Sequence, residues 1–173
     1  MTAAATTPTS ATQKNILQVY RVYIKATPQA IWDAITKREW IERYGYACPA
    51  EYDLRPGGAY KAYASEAMRA LGTPEVLIVG EVIESDPPRK LVQTWHPVWD
   101  AQCAAEAPTR LTHEITSNPQ MPGVLILTLT HDVTGAPSVA KMTAGEEENA
   151  GGGFPFILSD LKTLLETGKP LAA

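Results

Sequence analysis

Cysteine is scarce: Cys48 and Cys103 are the two in a chain of 173 residues. They lie far apart and in no metal-type spacing, which excludes a disulfide scaffold and points to free thiols in a reducing compartment. Histidine is scarce too. His96, His113 and His131 fall in separate segments with no spacing that would hold a metal, so neither a metal nor another cofactor is expected. No nucleophile-elbow sequence is present, and Gly151-Gly-Gly153 lacks P-loop context, reading as a hinge or helix lead-in. Basic clusters are missing: 15 Lys and Arg face 19 Asp and Glu, and the cations are scattered. Nucleic acid is therefore not an expected partner. No stretch is long and apolar enough to span a bilayer, and the first ten residues lack the basic start and apolar run of a signal peptide. The expectation is a cytoplasmic protein without membrane insertion.

What is present is nearly half apolar, at 45% of the chain, enough for one domain with a real core. Residues 1–14 are small and polar and read as a flexible tail; 15–169 form the domain, and 170–173 a short end. From Ile16, Tyr20, Val22 and Ile24 alternate with Arg21 and Lys25 as a half-buried strand. Thr27-Pro28 begins a short helix with Ile31, Trp32 and Ile35 as its stripe. Thr36 and Glu39 have the capping-box spacing of a second short helix carrying Trp40, Ile41 and Tyr44.

The period then switches to two. Tyr52 and Leu54, a turn at Arg55-Pro-Gly-Gly58, and Tyr60, Ala62 and Ala64 make a hairpin. A connection over 65–74, with a helical turn near 67–71, leads to a strand over 75–84. Asp86-Pro-Pro-Arg89 turns the chain into 90–96. Residues 97–108 lack a clear period, and 110–117 and 124–133 are strands. In the last of these, Leu125, Leu127, Leu129 and His131 share a face. A polar loop over 134–153, with Glu146-Glu-Glu148 as a solvated face, leads to the final segment. There Phe154, Ile157, Leu158, Leu161, Leu164 and Leu165 recur at helical spacing, Pro155 suits the first turn, and Gly168 suits the residue past the end. The fold class is α+β: an antiparallel sheet of about seven strands curled around a long C-terminal helix, with two short helices after the first strand.

The segments Ala26-Thr-Pro28 with Ile31-Trp32, Asp53-Leu-Arg-Pro-Gly-Gly58, Gly80-Glu-Val-Ile-Glu-Ser-Asp-Pro-Pro88, Leu91-Val-Gln-Thr-Trp95, Leu127-Thr-Leu-Thr-His131 and the helix over 154–168 resemble the helix-grip superfamily of START and Bet v 1-like proteins (SRPBCC). Within it they resemble the branch named for activators of the Hsp90 ATPase. The resemblance implies a cavity between sheet and helix that holds an apolar molecule. Two features depart from the pattern. Phe154 stands where many relatives have tryptophan, and the separate amino-terminal domain that the eukaryotic co-chaperone uses on Hsp90 has no room here. A small apolar ligand is accordingly the expected partner, ahead of a chaperone.

On this reading the ligand-facing side chains are Tyr60, Trp95, Leu127, Leu129, His131, Ile157, Leu158 and Leu161, with the 134–153 loop as the gate. Trp32 and Trp40, on helical stripes, read as core, and Trp95, His96 and Trp99 as an aromatic rim. Binding is expected rather than catalysis. The alternative is a cavity enzyme of the cyclase or dehydratase kind, for which His131 and Tyr60 are the acid-base candidates. A third reading is a chaperone-interaction module.

Overall fold

The computed structural model describes residues 15–146 and 151–171. Alternating exposure along β1 (Leu17–Ile24) turns Tyr20, Val22 and Ile24 inward. Thr27 caps α1 (Pro28–Thr36) by accepting a bond from the Ala30 amide at 3.1 Å, and Ile31, Trp32 and Ile35 are buried. The expected capping box does not form. Thr36 is still inside α1, where its hydroxyl donates to the Trp32 carbonyl at 2.7 Å, and α2 (Arg38–Ile41) starts at Lys37 with no side-chain cap. A buried threonine hydroxyl takes the nearest carbonyl of its own helix, which removes it from the next one.

The hairpin of β2 (Ala50–Tyr52) and β3 (Ala59–Tyr63) is followed by α3 (Glu66–Ala70), the helical turn expected in that connection. β4 (Val76–Asp86), β5 (Lys90–Pro97), β6 (Thr109–Ser117) and β7 (Leu125–Asp132) continue the antiparallel sheet. Its order is β1-β7-β6-β5-β4-β3-β2, so the first strand closes on the last. Register shifts after Ala62 in β3 and after Val82 in β4 are irregularities of the kind that bend a sheet.

Two segments read as irregular hold helices. α4 (Ala101–Ala104) is capped by Asp100, whose carboxylate accepts from the Gln102 and Cys103 amides. α5 (Pro137–Ala144) occupies much of the expected 134–153 loop, with Pro137 opening it and Gly145 left-handed at its end. Both are short with few buried positions, so period alone did not separate them from loop.

α6 (Gly153–Thr167) lies along β1, with the Lys162 ammonium on the Tyr23 carbonyl at 2.7 Å and the Lys25 amide on Glu166 at 2.8 Å. It buries Phe154, Leu158, Leu161 and Leu164 against the inner face of the sheet, where Ile24, Leu91, Leu127 and Leu129 are also buried. Left-handed Gly168 ends it, its amide bonded to the Leu164 carbonyl at 2.8 Å. Trp32 is core as expected, and Trp40 is half-buried under the Arg43 guanidinium. The 1–14 tail, Glu147 and Glu148 lie outside the described residues, and no helix among those described is long and apolar enough to cross a membrane.

Candidate functional site

Sheet register builds the floor of the space beneath α6. Tyr52 pairs with Tyr60 across the first hairpin, and the two rings stack at 4.5 Å. Tyr60 pairs with Gly80, where a Cβ would sit 2.1 Å from the Thr94 carbonyl oxygen and 3.1 Å from the Tyr60 ring. Only glycine lets that ring lie flat on the sheet. Further along the same face come Gln93 and Trp95 of β5, Leu111 and His113 of β6, and Leu129 of β7.

Helix and floor do not meet everywhere. Between them is a cavity of about 590 Å³, roofed by Phe154, Ile157, Leu158 and Leu161. Trp99 and Gln102 border it and are exposed, which puts its opening beside α4. Ser138, Met142 and Thr143 of α5 form another part of the rim. Of the side chains expected from sequence, Tyr60, Trp95, Leu129, Ile157, Leu158 and Leu161 border this cavity. Leu127 and His131 do not: both are fully buried, but deeper in the packing.

His131 is held in place by its neighbours. The Thr109 hydroxyl donates to the Trp95 carbonyl at 2.8 Å, so its lone pair accepts from His131 Nε2 at 2.7 Å, and the imidazole carries its proton there. Trp95 and Phe154 contact the ring edge-on at 5.3 and 5.6 Å. Burial lowers its pKa to about 4, leaving it neutral near pH 7.

The histidine that does border the cavity is His113, which sequence reasoning left out. It sits between Leu91 and Leu129 in the sheet, and burial lowers its pKa to about 4 as well. Its signal was the alternation Leu111, His113, Ile115 in β6, the same pattern that marked His131 in β7. Tyr52 also borders the cavity; burial pushes its hydroxyl well up, and pushes Tyr60 to about 12. Both cysteines line the space. Among the described lining residues there is no lysine or arginine, and the one carboxylate, Asp100, is engaged as the α4 cap. No cluster of ligands for a metal occurs among the described residues.

The rim helix α5 is fastened at both ends. The Glu106 carboxylate accepts from the Ser138 and Val139 amides at 2.8 and 3.1 Å, and Gln18 bonds the Ala140 carbonyl and the Thr143 hydroxyl at 2.7 and 2.8 Å. Partial burial opposes the charge on Glu106, but the two amides outweigh it and hold its pKa below the ordinary 4.5. A carboxyl lowered in the folded state stabilises above its ordinary range and loses that contribution as pH falls through the lowered value. Acidification should therefore loosen α5 before the sheet, read as lower protection of the Ser138 and Val139 amides relative to the intrinsic exchange rate at each pH. Glu106→Gln should lower the same protection at neutral pH. Equal rates in variant and parent would show that the cap carries no weight.

Comparison with known proteins places this geometry. A family model described as "Activator of Hsp90 ATPase homolog 1-like protein" matches residues 25–166. Solved structures share the fold at low identity. PFC0360w, an HSP90 activator from Plasmodium falciparum, is 20% identical, with 86% of this chain and 95% of that one covered and a TM-score of 0.58. CalU16 from Micromonospora echinospora is 18% identical over 77% and 78%, with a TM-score of 0.53. DynU16, a putative protein in the dynemicin biosynthetic locus, is 18% identical with a TM-score of 0.62, and the match covers 89% of this chain but 48% of that one. No curated protein matches the sequence.

Proposed function

This chain belongs to the activator of Hsp90 ATPase homolog 1-like family, and on that fold we propose that it binds a small, mostly apolar molecule between the sheet and α6. The observation that carries the reading is the cavity of about 590 Å³, walled by aromatic and aliphatic side chains with a few polar ends. Close-packed interiors leave few voids larger than a water molecule. Small-ligand pockets run to roughly 300–1,000 Å³ with the same make-up.

The titratable groups on the wall support binding over acid-base catalysis. A cyclase- or dehydratase-like reaction calls for a group that gains or loses its proton near neutral pH. Tyr60, raised to about 12, and His113, lowered to about 4, both stay uncharged there. A contact with an Hsp90-type chaperone, the partner in the family's name, would use an outer surface; the cavity favours a small apolar partner instead.

Titrating fatty acids, flavonoids and hydroxylated polycyclic compounds against isotope-labelled protein should give saturable NMR shifts at Tyr60, Trp95, Leu129, Ile157, Leu158 and Leu161, and in α5. Leu129→Trp directs an indole into the space from a position that already borders it. It should weaken binding by about tenfold or more, equivalent to roughly 1.4 kcal/mol, with a cooperative melt retained. A broad panel that shifts none of these signals would sink the reading.

A further inference from the structure

His113 is a polar side chain set in an aliphatic patch. Alternation along β6 turns it inward between Leu111 and Ile115, and the neighbouring strands place Leu91 and Leu129 on either side of it. All four neighbours are buried, Leu91 and Leu129 fully, yet the imidazole keeps accessible surface. That surface belongs to the cavity, whose wall includes His113. Nδ1 is sealed off with no hydrogen-bond partner among the described residues, which leaves Nε2 as the nitrogen to meet an occupant.

His131, one strand away, shows a satisfied imidazole in the same sheet: its Nε2 is engaged by the Thr109 hydroxyl at 2.7 Å, and its ring lies against Trp95 and Phe154. Among the described residues His113 has no counterpart of Thr109. Several other polar groups on the wall are already engaged. The Tyr44 hydroxyl donates to the Ala34 carbonyl at 3.1 Å, and the Tyr46 hydroxyl accepts from the Gly153 amide at 3.0 Å. Asp100 caps α4. An unpaired buried polar group is costly, and a leucine at position 113 would complete the patch without that cost.

The chemistry of the ring narrows what can satisfy it. Burial keeps His113 uncharged near pH 7, so it offers one donor and one acceptor. Because no partner of Nδ1 fixes the tautomer, Nε2 can accept from a hydroxyl or donate to a carbonyl. A hydrocarbon answers neither role. A carboxylate can accept from Nε2, but with no lysine or arginine on the described wall it gives up its hydration without meeting a cation. Tyr52, Tyr60, Trp95 and Phe154 also border the cavity and supply flat walls for a ring.

We propose that His113 is the polar anchor of the cavity, a neutral imidazole that selects uncharged ring compounds carrying a hydroxyl or carbonyl over the bare rings and over their carboxylates. This rests on the cavity-binding reading above and adds the polar contact and the chemical class of ligand. Three probes with one ring system separate the two ideas: naphthalene, naphthol and naphthoate, titrated by NMR against protein isotope-labelled at the histidine ring nitrogens. At neutral pH naphthol should bind about tenfold more tightly than naphthalene, the gain expected from a net hydrogen bond, and at least about tenfold more tightly than naphthoate. Naphthol should also move the His113 ring-nitrogen signals, and naphthalene should leave them nearly in place. His113→Leu should bring naphthol down to the affinity of naphthalene; His113→Phe repeats the test with a ring kept at the position.

If all three probes bind equally, the cavity reading stands and the anchor is overturned. A preference for naphthol that survives in either variant would place the anchor elsewhere. Naphthoate binding that matches naphthol and tightens as pH falls would show a charged imidazole rather than a neutral one, and would overturn the selection proposed. If none of the three binds, the cavity reading fails and the anchor with it. The ring-nitrogen signals of the unmodified protein decide the matter even where a variant does not fold: naphthol binding that leaves them in place overturns the contact.

Discussion

Ending the chain just before Phe154 should abolish cooperative unfolding. The missing segment includes Phe154, Leu158, Leu161 and Leu164, all buried against the concave face. Truncating one such side chain to alanine costs roughly 2–5 kcal/mol. Losing four together, roughly 8–20 kcal/mol, is as large as the whole roughly 5–15 kcal/mol by which a domain is stable at all. The cut also removes the tie between α6 and the end of β1, where the Tyr23 carbonyl and the following Lys25 amide bond to Lys162 and Glu166. What remains is a sheet with its apolar face in water, expected to be aggregated or molten. Calorimetry and near-UV circular dichroism should show no sharp transition, and a sharp one near the parent temperature would overturn the role given to α6.

The second large effect is expected from Asp160→Ala. Asp160 is on α6 and only 1% exposed, an unusual place for a carboxylate. It accepts from the Gly45 amide at 2.7 Å and from the Leu171 amide, and so ties the loop after α2 and the end of the chain to one helix. Gly45 is left-handed, and a Cβ there would come within 3.3 Å of Ile157. The loop is thus held both by shape and by the carboxylate. Removing the carboxylate leaves two donors without their charged partner, and hydrogen bonds to charged groups are worth about 1.5–3 kcal/mol each. We expect a loss of about 3 kcal/mol in urea denaturation and accelerated exchange of the Gly45 amide. A loss under about 1 kcal/mol with Gly45 still protected would show that the loop is held by packing alone.

Asp160 also shows where periodicity is blind. Leu161 and Leu164 announce the buried stripe, and an aspartate beside them reads as the solvent edge. It is buried because the Gly45 amide, distant in sequence, and the Leu171 amide beyond the helix end converge on it. Thr36 failed in the opposite direction: its spacing to Glu39 suited a cap, but the Trp32 carbonyl lay nearer. The α5 helix was passed over because Val139 and Thr143 are its only buried positions, too few to make a stripe.

Sequence by itself determined the alternating faces of the first strand, the first hairpin and the last strand, where the long helix begins and ends, and that this helix covers an antiparallel sheet. Those properties are local: side-chain alternation, a proline at a first turn and a glycine past a last one act over a few residues. The pairing of the first strand with the last came from the tertiary structure. The cavity was decided by tertiary structure, since it depends on where a roof and a floor from distant segments fail to touch. His113 and His131 make the difference plain. Both sit at inward positions of neighbouring strands, each paired across from a leucine on the other strand. His131 lies under Phe154 and Trp95, while the ring of His113 meets open space. Alternation assigns both a side of the sheet, and only the docking of α6 assigns one to packing and the other to the cavity wall.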